Sequence, residues 1–204
     1  MTTHTSQALD TPRIVGACGI LAGALIVAAP MVESPIGTAG WIAGIALLLP
    51  FLSGLAAVLA ADAGSTRWLA PVMSAGAAIA VALHLVTLGV AHVAGSVSKD
   101  SAVHEPLHAV ESALFGISLL PLGLAVAAAA IAMIRHGRLP RWLGYPTGVV
   151  SIALFANGGQ VGTEEVPGLL LFMLWTLVIA VILVVRRRAA APVTEPAPVA
   201  AGIG

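Results

Sequence analysis

Hydrophobic positions in this chain neither alternate nor form narrow stripes; they come in blocks. Six runs are almost wholly apolar, at 14–32, 41–61, 68–94, 107–134, 142–158 and 167–185. A helix rises about 1.5 Å per residue and the hydrocarbon layer of a bilayer is about 30 Å thick, so a span needs about 20 mainly apolar residues. Lipid offers no partner for a free backbone N–H or C=O, which makes helices the reading for such runs. A membrane barrel would show short segments of alternating polarity instead. The pattern predicts an all-α, polytopic transmembrane helix bundle of six spans. It divides the chain into an N-terminal segment 1–13, a six-helix domain 14–188 and a tail 189–204. Polarity at the front and three prolines in the tail lead us to expect both ends to be mobile.

Charge sets the direction of the crossings. With the N-terminus inside and six alternating spans, Arg13, Arg67, Arg135, Arg138, Arg141, Arg186, Arg187 and Arg188 fall on the cytoplasmic side, and only Lys99 falls outside. Cytoplasmic loops gather Lys and Arg, so this segregation predicts both termini inside a bacterial cytoplasmic membrane. It also supports the even number of spans, since one crossing more or fewer would scatter the arginines over both faces. Trp41, Trp68, Trp142 and Tyr145 stand near span ends, as headgroup-level aromatics do. Glu33, Asp100, Glu105, Glu164 and Glu165 fall outside, with Glu111 just within the membrane. Carboxylates collecting where arginines are excluded is the simple account of that acidic face.

Composition narrows the class. Apolar residues make up 59% of the chain and charged residues 9%, against about 25% charged in a soluble domain. A water-soluble globule and a disordered chain are both excluded. Nine Lys and Arg balance nine Asp and Glu, so no basic excess is present to hold nucleic acid. The lipid bilayer is the expected partner, and a homo-oligomer is an open alternative. Cys18 is the only cysteine, so no intramolecular disulfide can form. The segment Val15-Gly16-Ala17-Cys18 loosely resembles a lipoprotein cleavage box, but too few apolar residues precede it for a secretory signal. Cys18 reads as a small buried hydrophobe.

Ionisable groups within spans are costly and therefore informative. Here they are His84 and His92 on the third span, and His108 and Glu111 on the fourth, with His104 just before it. On one helix, His104, His108 and Glu111 at i, i+4 and i+7 lie within about 60° of one face. His84 and His92 project about 80° apart on their own helix. A short connection makes the third and fourth spans antiparallel neighbours. The five side chains are thus expected to line one seam near the outer surface. Imidazole and carboxylate are ligands for transition metals such as zinc, iron, manganese or copper, and imidazole also titrates near neutrality.

We therefore expect an outward-facing His84, His92, His104, His108 and Glu111 site that binds a transition metal or senses pH. Alternatives are a structural or regulatory component with no ligand, a small-solute transporter, and a b-type haem protein with one histidine from each helix. Few aromatics and no outer arginine for the propionates count against haem. His104-Glu105-Pro106-Leu107-His108 fits the letters of a zinc-protease motif, but its proline and its place at the membrane edge count against that activity. Pro50 and Pro121 stand in mid-span and are expected to kink their helices. Asn157, Gln160, Glu164 and Glu165 cluster at the outer end of the fifth span, either as a second polar site or as a hydrated turn.

The segment Arg135-His136-Gly137-Arg138-Leu139-Pro140-Arg141-Trp142-Leu143-Gly144 resembles a recurrent loop of bacterial six-helix membrane proteins of unknown function. In them an Arg-rich turn with Leu-Pro-x-Trp-Leu-Gly opens the fifth helix. The resemblance runs from about His108 to Arg188, with Glu111 matching an acidic residue early in the fourth helix. It implies the six-helix topology and no catalytic residues.

Overall fold

The computed structural model describes residues 11–32, 35–61, 64–99, 101–136, 139–159 and 167–185. Six helices carry nearly all of them: α1 (Thr11–Ala28), α2 (Pro35–Ala60), α3 (Leu69–Ser96), α4 (His104–His136), α5 (Gly144–Gly159) and α6 (Pro167–Val185). Single 3₁₀ turns occupy Ala29–Met31, Gly64–Thr66 and Arg141–Leu143. Two helices begin at proline, where the missing N–H is one that a helix start leaves unpaired anyway. Pro50 and Pro121 lie inside α2 and α4, which continue through them as helix.

Five of the six helices are long and apolar enough to cross a membrane: α1, α2, α3, α4 and α6. The fifth differs from the sequence expectation. At 16 residues α5 rises about 24 Å, short of the roughly 30 Å hydrocarbon layer. Its preceding 3₁₀ turn, Arg141–Leu143, adds about 6 Å at 2 Å per residue. Glycines bound α5 at both ends, and its buried face carries the polar side chains of Thr147, Ser151 and Asn157.

The helices form a closed ring. Each packs against its neighbours in sequence, α6 closes against α1, and α2 touches α4 across the middle. Packing partners show the alternation of direction. Gly54 lies on Val15 and Gly44 on Ile26, so α2 runs opposite to α1. Gly16 lies on Ala180 and Val184, which sets the start of α1 beside the end of α6. The two ends of the described chain therefore share one end of the bundle. Exposed Arg13, Arg67, Arg135 and Arg141 belong to that same end. Lys99, Glu105, His104, His108 and Glu111 belong to the opposite end. Arg138, Arg186, Arg187 and Arg188 of the expected basic face, and Glu33, Asp100, Glu164 and Glu165 of the expected acidic face, lie outside the described residues.

The core is aliphatic, with Phe51, Phe172 and Trp175 as its aromatic members. Trp175 stacks on Phe172 and meets Phe51 edge-on. Polar ties join the later helices. The Trp175 indole N–H donates to Thr147 Oγ1 at 2.8 Å, and the Thr147 hydroxyl donates to the Leu143 carbonyl at 2.7 Å. Ser151 donates to the Gly123 carbonyl at 2.9 Å, tying α5 to α4. Asn157 accepts from the Gly168 N–H at 2.7 Å, tying α5 to the start of α6. That bond gives Asn157 a structural role; Gln160, Glu164 and Glu165 of the same sequence cluster lie outside the described residues.

Candidate histidine–glutamate site

With 33 residues, α4 is about 50 Å long, well over the thickness of a hydrocarbon layer. Its first two turns carry His104, Glu105, His108 and Glu111. A chain of turn hydrogen bonds leads into them: Ser101 N–H donates to Ser98 O at 2.9 Å and His104 N–H to Ser101 O at 3.0 Å. Pro106 falls in the first turn, where it removes no helical hydrogen bond.

Within these turns His108 Nδ1 lies 3.0 Å from Glu111 Oε2. An ionised carboxylate only accepts, so the imidazole N–H is the donor. Both side chains reach solvent, His108 at 53% and Glu111 at 29% exposure. The His104 ring meets the His108 ring edge-on, with centroids 4.6 Å apart and planes at 81°. His104 Nδ1 is enclosed and has no hydrogen-bond partner among the described residues. Glu105, one position on from His104, is exposed.

His84 belongs to a different environment. Its Nδ1 lies 2.8 Å from Ser118 Oγ of α4. The Ser118 hydroxyl lies 2.6 Å from the Phe115 carbonyl, to which it donates its one proton. The Ser118 oxygen must then accept, and His84 Nδ1 carries the hydrogen. The Phe115 ring packs against the imidazole, centroids 5.1 Å apart. His92 stands elsewhere again, in a groove between α2 and α3 with Trp41, Ile42, Leu85 and Leu88.

The structure thus brings together His104, His108 and Glu111 and leaves His84 and His92 apart from them and from each other. The reason is the rotation between positions eight residues apart. About 80° is small on paper, yet it is enough to turn one α3 histidine toward α4 and the other toward α2. Among the described residues, no three His, Cys, Asp or Glu side chains are grouped so as to hold one metal ion. Sequence reasoning missed Ser118, the partner of His84. The signal was available: in an antiparallel hairpin turning near Ser101, His84 falls level with Ser118.

Comparison with family profiles, with curated proteins and with solved structures yields no match for this chain.

Proposed function

We propose that this chain is a six-span protein of a bacterial cytoplasmic membrane, termini inside, with a proton-responsive histidine–glutamate pair on its outer face. The even number of helices and the gathering of exposed arginines at one end support that orientation. The fifth crossing is α5 together with its 3₁₀ turn, a short span of the kind that thinning of the surrounding bilayer accommodates. The Arg-rich loop before α5, with its resemblance to six-helix bacterial proteins, agrees with this topology.

The observation that carries the functional reading is the 3.0 Å contact between His108 Nδ1 and Glu111 Oε2 on solvent-reached turns. Protonation of His108 turns that hydrogen bond into an ion pair, and loss of the proton returns it to a neutral–charged contact. The other ionisable groups of this end are His104 one turn before, Glu105 and Lys99 in the connection, with His92 apart in its groove. Charging His104 as well sets two cations one turn apart, an unfavourable spacing on a helix.

The test follows imidazole resonances of histidine-labelled protein in nanodiscs from pH 5 to pH 8, in wild type and in Glu111→Gln. The expected result is a His108 titration that moves in the variant while that of His92 stays. An unchanged His108 titration overturns the reading.

One feature favours a second reading. A carboxylate on one ring nitrogen of histidine is the usual orienting arrangement behind a metal-bound imidazole. Glu111 on Nδ1 leaves His108 Nε2 for such a role, with His104 beside it and the remaining positions open to water. Calorimetric titration with zinc separates the two: stoichiometric binding lost in His104→Ala and His108→Ala supports a metal site, and its absence leaves the proton-responsive reading alone.

A further inference from the structure

The ring of helices is not filled throughout. Behind Trp41 lies a cavity whose walls come from α1, α2, α3, α4 and α6, among them Ile45, Leu48, Leu122 and Phe172. Its free volume of about 30 Å³ has room for a water or two. Among the residues lining it, His84 is the one that ionises. In front of Trp41 lies the α2–α3 groove, about 750 Å³ in volume and within the size range of small-molecule pockets. Trp41 borders both spaces, the wider groove and the smaller cavity.

The polar inventory of this pair of spaces is short. The groove offers Thr38 and His92 at one end and aliphatic walls elsewhere. The cavity offers His84, whose Nδ1–H is engaged by Ser118. The other ring nitrogen, Nε2, has no partner among the described residues. In the neutral ring with hydrogen on Nδ1, Nε2 is an acceptor. An acceptor that opens on a largely apolar space is complemented by a donor on an otherwise apolar molecule. Both spaces lie among helices long and apolar enough to cross a membrane, so such a molecule arrives dissolved in lipid.

We propose that the groove and cavity form a binding site for a lipid-soluble molecule with one hydroxyl, a phenol or similar alcohol. Its apolar body lies in the α2–α3 groove, and its hydroxyl passes Trp41 and donates to His84 Nε2. This site is independent of the His108–Glu111 pair and stands or falls separately from it.

Brominated probes test it, because bromine quenches tryptophan on contact. Full-length protein in lipid nanodiscs is titrated with a brominated alkylphenol and, in parallel, with its methyl ether, which keeps the body and lacks the donor. Trp41→Phe identifies the part of the signal that comes from Trp41, since Trp68, Trp142 and Trp175 are retained. The expected result is saturable quenching of Trp41, about tenfold tighter for the phenol than for the ether, the size of one net hydrogen bond. His84→Phe is expected to erase that preference. Should His84→Phe fail to fold, Gly89→Leu serves instead. Gly89 lines the groove and has no atom within 4 Å of a Cβ built on it, so leucine there blocks the groove and abolishes saturable quenching. Quenching that rises linearly with partitioning, equal affinity for phenol and ether, or saturable binding that survives Gly89→Leu overturns the proposal.

Discussion

Two glycines on one helix show how differently the two sides of α3 are built. A Cβ placed on Gly76 would come within 2.6 Å of the Pro121 carbonyl oxygen and 3.1 Å of Ala125 Cβ, so α3 and α4 are in backbone contact there. A Cβ on Gly89, about three and a half turns further along, would meet nothing within 4 Å. The first glycine lets two helices close; the second faces an opening. Glycine by itself predicts neither. In a bilayer, where helices gain little from leaving lipid, contact comes from packing of small residues, and a seam without it is free to hold something else.

The sharpest way to break this comparison is to enlarge the tight glycine. Gly76→Leu must push α4 away from α3 at Pro121, because backbone cannot give way as a flexible side chain can. Overpacking of this kind costs about 1–3 kcal/mol and often more. We expect a much lower midpoint of thermal unfolding in detergent, or no folded protein. A midpoint close to wild type would show that the α3–α4 contact is not needed.

Next in size is the hydrogen-bonded tie among the later helices. Thr147→Val keeps the shape of the side chain but takes the acceptor from the buried Trp175 indole N–H. Leaving a buried donor unpaired costs about 1–3 kcal/mol in water-soluble proteins, and hydrogen bonds between membrane helices average about 0.6 kcal/mol. A loss of about 1 kcal/mol is therefore expected, accompanied by a blue shift of Trp175 emission as the indole loses its partner. Opposite in sign is Gly89→Ala. The added methyl enters open space and removes a helix-interior glycine, a change worth up to about 1 kcal/mol toward stability. Chemical denaturation should show Gly89→Ala at or above wild type, and a clear loss would mean that the groove is closed in solution.

How much of this was legible in the sequence depends on which force sets each feature. Hydropathy alone located six helices, and α6 agrees at both ends, because burial in lipid acts on every residue of a run. The ends of α2 and α4 extend beyond the apolar runs, since Pro35 and the turn at Ser101 start those helices rather than the first lipid-facing residue. The expected fifth span differs in length: α5 stops at 16 residues because Arg141–Leu143 before it winds as a 3₁₀ turn, and hydropathy does not distinguish that turn from helix. The histidine seam was legible in part. Positions i, i+4 and i+7 did gather His104, His108 and Glu111, because a single helix fixes their geometry. Bringing in His84 and His92 required knowing how α3 is rotated against two neighbours, and no residue type announces that. The groove was invisible for the same reason: it is a property of the α2–α3 seam, not of either helix.

The smallest effect on stability belongs to the exposed pair, which contrasts with the closed interior. Half-exposed ion pairs are worth at most about 1 kcal/mol, with many near zero. Glu111→Gln should therefore leave the unfolding midpoint close to wild type, because His108 can still hydrogen-bond to the amide. Any difference should be largest in low salt and shrink in about 0.5 M salt as screening takes hold. Combining His108→Ala with Glu111→Gln should lose no more than the larger of the two single changes, since the two side chains act through one contact. Should the two losses simply add, Glu111 acts through packing on α4 and not through His108.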